Sequence, residues 1–231
     1  MLTVREMAQM IDHSILLPAW TDAELVRGVE IAKKYQTIVV VPKVYQIPRA
    51  RELLQGSDVR LAAPIGFPQG LNPPEIKQAE AEWAIQNGAV ELDMVLNISE
   101  LKSGHLDFVA RDIAGVVKVA QRAHAPVKVI LECCLLTDEE KVAACQIAER
   151  EGAAFVKTST QTQPGGATVE DVRLMRASVG PGVVVKASGY ITDIDKALAL
   201  YEAGARRFGT GYTAAILDGL QAKWDAMGAE S

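Results

Sequence analysis

Three apolar runs in this chain each carry a charge toward their end. Ala153–Thr160 (AAFVKTST) carries Lys157 and then breaks into hydroxyl residues and PGG. Val183–Gly189 (VVVKASG) carries Lys186 in the same place, and Val90–Ile98 (VELDMVLNI) carries Asp93. Such runs read as interior strands running out into loops. An ammonium there is costly to desolvate, so it pairs or gives up its proton. Two lysines and a carboxylate placed this way suggest a shared interior site whose charges alter one another, the arrangement Schiff-base chemistry needs. A free lysine titrates near about 10.4 and is a poor nucleophile at neutral pH; enzymes bring catalytic amines to roughly 7–8 by burial and neighbouring charge. Lys157 is read as the nucleophile, Lys186 as the neighbouring cation and Asp93 as a proton relay. Attack on an aldehyde or ketone then gives a carbinolamine and an iminium ion, an electron sink that lets an adjacent C–C bond break. The pattern alone does not say which lysine is attacked. A lone lysine ending a strand is most often a snorkelling surface cation or an ion-pair partner, so a structural Lys157–Asp93 pair stays open at this point.

The elements that must position these residues alternate along the whole chain. Apolar runs at Ile11–Leu17, Thr37–Val41, Arg60–Ile65, Val90–Ile98, Val127–Glu132, Ala153–Lys157, Val183–Gly189 and Arg206–Thr210 read as strands. Each precedes an amphipathic stretch: Thr21–Tyr35, Ile47–Leu54, Pro73–Asn87, His105–Ala123, Thr137–Glu151, Thr168–Ala177, Ile194–Ala203 and Thr213–Met227. The TDEE at Thr137–Glu140 is a capping-box signature, and Gly88 and Gly152 are helix stops. The final residues, Gly228–Ser231, read as a frayed end. Eight βα units in 231 residues favour a single (β/α)8 TIM barrel over 1–231. A doubly wound sheet is disfavoured because no strand is followed by GxGxxG. In a barrel the strand C-termini share one face, so Asp93, Lys157 and Lys186 converge there.

Composition excludes other classes. A net charge of -5 argues against a general nucleic-acid or anionic-membrane binder, and no long uncharged apolar segment is present. The chain therefore reads as cytoplasmic. Cys133, Cys134 and Cys145 offer neither a disulfide framework nor ligand spacing, and His13, His105 and His124 lie far apart, so no metal is expected.

At these residues the sequence resembles the deoxyribose-phosphate aldolase family. IDHSILLP, IGFPQG, ELDMVLNI, LLTDEE, FVKTST, GGATVEDVRLM and VKASG occur in the family's order, across nearly the whole chain. The resemblance implies a cofactor-free Schiff-base aldolase on a (β/α)8 barrel. In it Lys157 forms the Schiff base, Lys186 lowers the pKa of that amine, and Asp93 joins the relay. It implies an aldehyde-lyase that reversibly cleaves 2-deoxy-D-ribose 5-phosphate to acetaldehyde and D-glyceraldehyde 3-phosphate. Members are commonly dimers or tetramers, so a homo-oligomer acting on a small aldehyde or sugar is expected.

The departures lie in the loops that hold the family's phosphate. KASGGIR becomes KASGYIT, with Tyr190 at a glycine and Thr192 at an arginine; KTSTGF becomes KTSTQT, with Gln161 at a glycine. A GTSSG-like element becomes GTGYT, with Gly211 and Tyr212 at two serines, and Leu17 stands where a lysine is common. Rings at Tyr190 and Tyr212 are expected to fill the phosphate volume. The same lysine chemistry on an unphosphorylated or differently tailed aldehyde is the alternative; a barrel that only binds a sugar is a second. Gly189, Tyr190, Gly209, Gly211 and Tyr212 are expected around the substrate. Asp12 is a candidate partner of the lysines, and Thr158 and Thr168 candidate contacts to substrate hydroxyls, although capping explains the threonines as well. Glu132 reads as a partnered structural acid, His13 as facing away from the barrel interior, and Arg206–Arg207 as solvated cations.

Overall fold

The computed structural model describes residues 2–229, and its eight parallel strands close into one barrel in chain order. The strands are β1 (Ile11–Ile15), β2 (Val39–Pro42), β3 (Arg60–Ile65), β4 (Glu91–Val95), β5 (Val127–Ile130), β6 (Phe155–Lys157), β7 (Val184–Ser188) and β8 (Arg207–Thr210). Short helices α1 (Val4–Ala8) and α5 (Ile98–Lys102) were outside the sequence expectation, since five residues are too few to show a 3.6-residue period. The remaining helices are α2 (Asp22–Tyr35), α3 (Ile47–Leu53), α4 (Pro74–Gln86), α6 (Leu106–Gln121), α7 (Asp138–Arg150), α8 (Val169–Ser178), α9 (Ile194–Glu202) and α10 (Thr213–Ala229). The expected frayed end, Gly228–Ser231, falls at and beyond the limit of the described residues.

Local chemistry sets the helix starts. Thr21 and Thr137 each accept from the first turn while Glu24 and Glu140 reach back to the cap, which satisfies otherwise orphaned N–H groups. The second strand begins later than expected, at Val39, and runs through Pro42, which stands opposite Ile15.

Alternation along the strands divides the molecule into two layers. Ile11, Ile15, Leu61, Leu92, Met94, Val129, Val156, Val185 and Phe208 belong to the large apolar core packed with the helices. His13 falls on the same side and bonds Thr213 Oγ1 at 2.8 Å, and burial lowers its pKa to about 4. The barrel interior is different. Val39, Val41 and Ala62 form a small apolar cluster there, while the opposite wall is charged. Register steps that wall around the barrel: Asp93 is opposite Lys128, Ile130 opposite Lys157, Lys157 opposite Lys186, and Lys186 opposite Arg207.

Candidate active site

Seven ionisable side chains meet inside the barrel. Lys157 Nζ donates to Asp93 Oδ2 at 2.7 Å, and Lys186 Nζ donates to the same oxygen at 2.6 Å. Lys186 also bonds Asp12 Oδ2. Below them, Lys128 Nζ donates to Asp12 Oδ2 at 2.8 Å and lies 2.9 Å from Asp93 Oδ1 and 2.7 Å from Glu91 Oε2. Arg207 closes the cluster on Asp12 and, at 2.5 Å, on Glu91. Three carboxylates thus face four cations. One amine can lose its proton without leaving an unbalanced charge.

The local electrostatics follow from burial and these partners. Burial alone would raise the carboxyl pKa of Asp93, but Lys128, Lys157 and Lys186 overcome it and hold the group well below the usual range. Asp12 is likewise held low against its burial by Lys128, Lys186 and Arg207. For Lys128 the three acids outweigh burial and raise its pKa, which makes it a fixed cation. Lys186 behaves differently. Burial is the largest effect, Asp12 and Asp93 oppose it, and Lys128 and Lys157 reinforce it, so its pKa falls to about 7. The structure therefore puts a lowered amine pKa on Lys186, the residue expected to act as the neighbouring cation.

The cluster opens upward into a cleft of about 190 Å³ at the strand C-termini, the face on which barrels carry their chemistry. Lys157 lines it, whereas Lys186 and Lys128 are fully buried beneath. Leu16, Leu17, Trp20, Phe67 and Tyr212 form an apolar wall, and Ser14, Ser159, Thr160, Gln161, Thr162 and Ser188 supply polar groups. A Cβ on Gly209 would come 2.9 Å from Ser188 Cβ and 3.2 Å from Lys186 Cε, so this glycine leaves the lysine its room.

A family model described as DeoC/LacD family aldolase matches residues 6–218. The chain belongs to the DeoC/LacD aldolase family. It is therefore an aldolase, an enzyme of the aldehyde-lyase type. Relatives agree with this DeoC/LacD assignment. The chain is 50% identical over 212 residues to a deoxyribose-phosphate aldolase of a Geobacillus species, covering 92% of this chain and 95% of that one. It is 49% identical over 216 residues to the one of Thermococcus gammatolerans, covering 93% and 96%. Among solved structures, the tetrameric deoxyribose phosphate aldolase of Aeropyrum pernix superposes with a TM-score of 0.89 at 32% identity, over 96% of this chain and 93% of that one.

Within this DeoC/LacD barrel the expected site residues separate into two groups. Asp93, Lys157 and Lys186 come together, and Gly189, Gly209, Gly211 and Tyr212 line the cleft. Asp12 does not reach the cleft, because it is fully buried under the lysines as their counter-ion. Thr158 is turned into the β6–β7 seam, where its hydroxyl donates to Ser188 O and accepts from Ser188 N, both at 3.0 Å. Thr168 is the N-cap of α8, and its hydroxyl is engaged by Asp171. Tyr190 does not fill the cleft: its ring lies over Gly166 and its hydroxyl donates to Gln163 O at 3.4 Å. Thr192 points to Asp193 instead.

Glu91, Lys128 and Arg207 were missed as members of the cluster, and Arg207 corrects the expectation of a solvated cation. Their signal was present, since Glu91 and Asp93 alternate onto one strand face and Lys128 interrupts an apolar run. Arg206 does lie outside, stacked on Tyr201. Glu132, as expected, is partnered: Thr160 donates to it through both its N–H and its hydroxyl. Burial raises the pKa of all three thiols, Cys145 to about 12, so none is poised as a thiolate. Among the described residues no three His, Cys, Asp or Glu side chains gather as metal ligands, and no helix is long and apolar enough to cross a membrane.

Proposed function

We propose that this protein is a Schiff-base aldolase of 2-deoxyribose-type sugars, with Lys157 as the nucleophile. The relatives' names point to 2-deoxy-D-ribose 5-phosphate or a close analogue, cleaved reversibly to acetaldehyde and a glyceraldehyde-type aldehyde. One observation carries the choice of lysine. Of the three amines in the cluster, only Lys157 reaches the cleft, and it does so while sharing Asp93 Oδ2 with Lys186.

That shared oxygen supplies the proton path. Lys186 titrates near 7, so at neutral pH it takes up or returns a proton passed from Lys157 across Asp93. The free Lys157 amine attacks the aldehyde carbon and the carbinolamine loses water to give the iminium. The hydroxyl on the β-carbon then loses its proton, the C–C bond breaks, and its electron pair moves into the enamine as the glyceraldehyde-type aldehyde leaves. Protonation of the enamine and hydrolysis release acetaldehyde and restore the amine. Lys128 and Arg207 stay charged throughout, and their attraction helps to hold Asp12 and Asp93 as carboxylates.

Such an enzyme belongs to carbohydrate catabolism, and three unpaired thiols suit a cytoplasmic, reducing setting, where cell fractionation should find it. Acetaldehyde release from the sugar tests the assignment. Lys157→Ala is expected to lower kcat by a factor on the order of 10³ or more with the far-UV CD spectrum unchanged. Retention of more than a tenth of the activity would contradict it.

A further inference from the structure

We infer that Lys77 and Glu80, on the outer helix α4, are positioning residues of this aldolase: they grip Gly66 and so hold Phe67 in the wall of the cleft. The role rests on the aldolase reading of that cleft.

Phe67 lines the cleft from the loop that follows β3. The residue before it is held from α4 at two points. Gly66 N–H donates to Glu80 Oε2 at 2.6 Å, and the Lys77 side chain lies so close across Gly66 that a Cβ there would come 2.9 Å from Lys77 Cε. Lys77 and Glu80 are three residues apart, hence neighbours on one helix face.

The same lysine reaches past the loop. Its Nζ donates to Val95 O at 2.9 Å and to Asp112 Oδ2 on α6. Val95 ends β4, two residues after Asp93. Gly70 closes the loop on the exit of that strand: its N–H donates to Gly66 O at 2.7 Å, and a Cβ on it would lie 2.0 Å from Leu96 O. One ammonium thus ties the loop that carries Phe67 to the strand that carries the relay acid.

Stability is a poor reason for this lysine. Lys77 and Asp112 are both fully buried. Burial is the largest effect on each, lowering the pKa of Lys77 and raising that of Asp112 in spite of their mutual attraction. Asp112 Oδ1 has no hydrogen-bond partner. An apolar pair of similar volume is commonly as stable as such a pair, or more so. It could not donate to Val95 O, however, and that bond fixes α4 against the end of β4. A shift of α4 would carry Gly66 and Phe67 with it, and a misplacement of about 1 Å at a reacting site can cost on the order of 100-fold.

Steady-state cleavage of 2-deoxy-D-ribose 5-phosphate by a set of variants tests this role. Glu80→Leu removes the acceptor at a half-buried position; KM should rise at least tenfold, with kcat within threefold and Tm within a few degrees of wild type. Glu80→Gln keeps an oxygen there and should restore KM. Lys77→Met combined with Asp112→Val removes both buried charges together and should raise KM as Glu80→Leu does. In a Phe67→Ala background each change should alter KM less than twofold, because the ring they place is gone. An unchanged KM in Glu80→Leu, or a tenfold rise that persists without the Phe67 ring, overturns the inference. Full activity in Lys157→Ala would instead overturn the Schiff-base reading, and the dependence of KM on Glu80 and Phe67 would still be measured.

Discussion

At the residue scale, a single carboxylate oxygen, Asp93 Oδ2, holds two amines of different fates. Lys186 has its pKa lowered to about 7 chiefly by burial. Below that value it keeps its proton, the cluster carries an excess positive charge, and no site accepts a proton from Lys157. Above it the acceptor is free. The rate is therefore expected to fall on the acid side of an apparent pKa near 7. Lys186→Arg keeps a cation beside Asp93 but cannot exchange protons, so kcat should fall about 100-fold or more and the acid limb near 7 should vanish, as read from a pH–kcat profile. An unaltered limb would assign that titration to another group. The linked effect on stability runs in the same direction. From about 7 up to the ordinary lysine range the unfolded chain binds more protons, so the contribution of Lys186 to stability improves as pH rises. A fully buried network of this kind is weak evidence for stability as such. Its value lies in where it puts a proton.

At the element scale, the helices and strands were largely legible because their signals are local. The TDEE box starts α7 where the spacing places it, and the β-branched and apolar runs became strands. Orientation was harder to read. Thr158 and Thr168 looked like substrate contacts by position, but one is committed to the β6–β7 seam and the other to a helix cap. Tyr190 stands at a left-handed position, φ 54°, which sends its ring over Gly166 and away from the cleft. No residue type announces such a turn of the backbone. Close approach between strands is an element property too, and Gly209 tests it. Gly209→Ala would press a methyl group against Ser188 and Lys186 on the neighbouring strand. It is expected to lower kcat at least tenfold with Tm reduced by only a few degrees; wild-type kcat would show that Lys186 can move without consequence.

At the scale of the whole molecule, the barrel was readable from eight alternating units, whereas the chemistry inside it was only half readable. Asp93, Lys157 and Lys186 stand out as charges on apolar strands, but Glu91, Lys128 and Arg207 join them only once the barrel closes. The outer surface carries a further expectation. Leu71, Ile76 and Trp83 are 53%, 50% and 40% exposed, and the last two lie seven residues apart on one side of α4. An apolar strip of this kind suits contact with a second copy of the chain. A homo-oligomer is the expectation this strip carries. Light scattering after size exclusion should give a dimer or tetramer, and Ile76→Glu with Trp83→Glu should shift it toward the monomer; a monomeric wild-type protein would refute this.

Borohydride reduction in the presence of acetaldehyde, followed by peptide mass mapping, shows which lysine forms the imine. One reduced two-carbon adduct is expected, on the peptide containing Lys157, with Lys186 and Lys128 unmodified because both are fully buried beneath it. An adduct on Lys186, or none on any of the three, would contradict it.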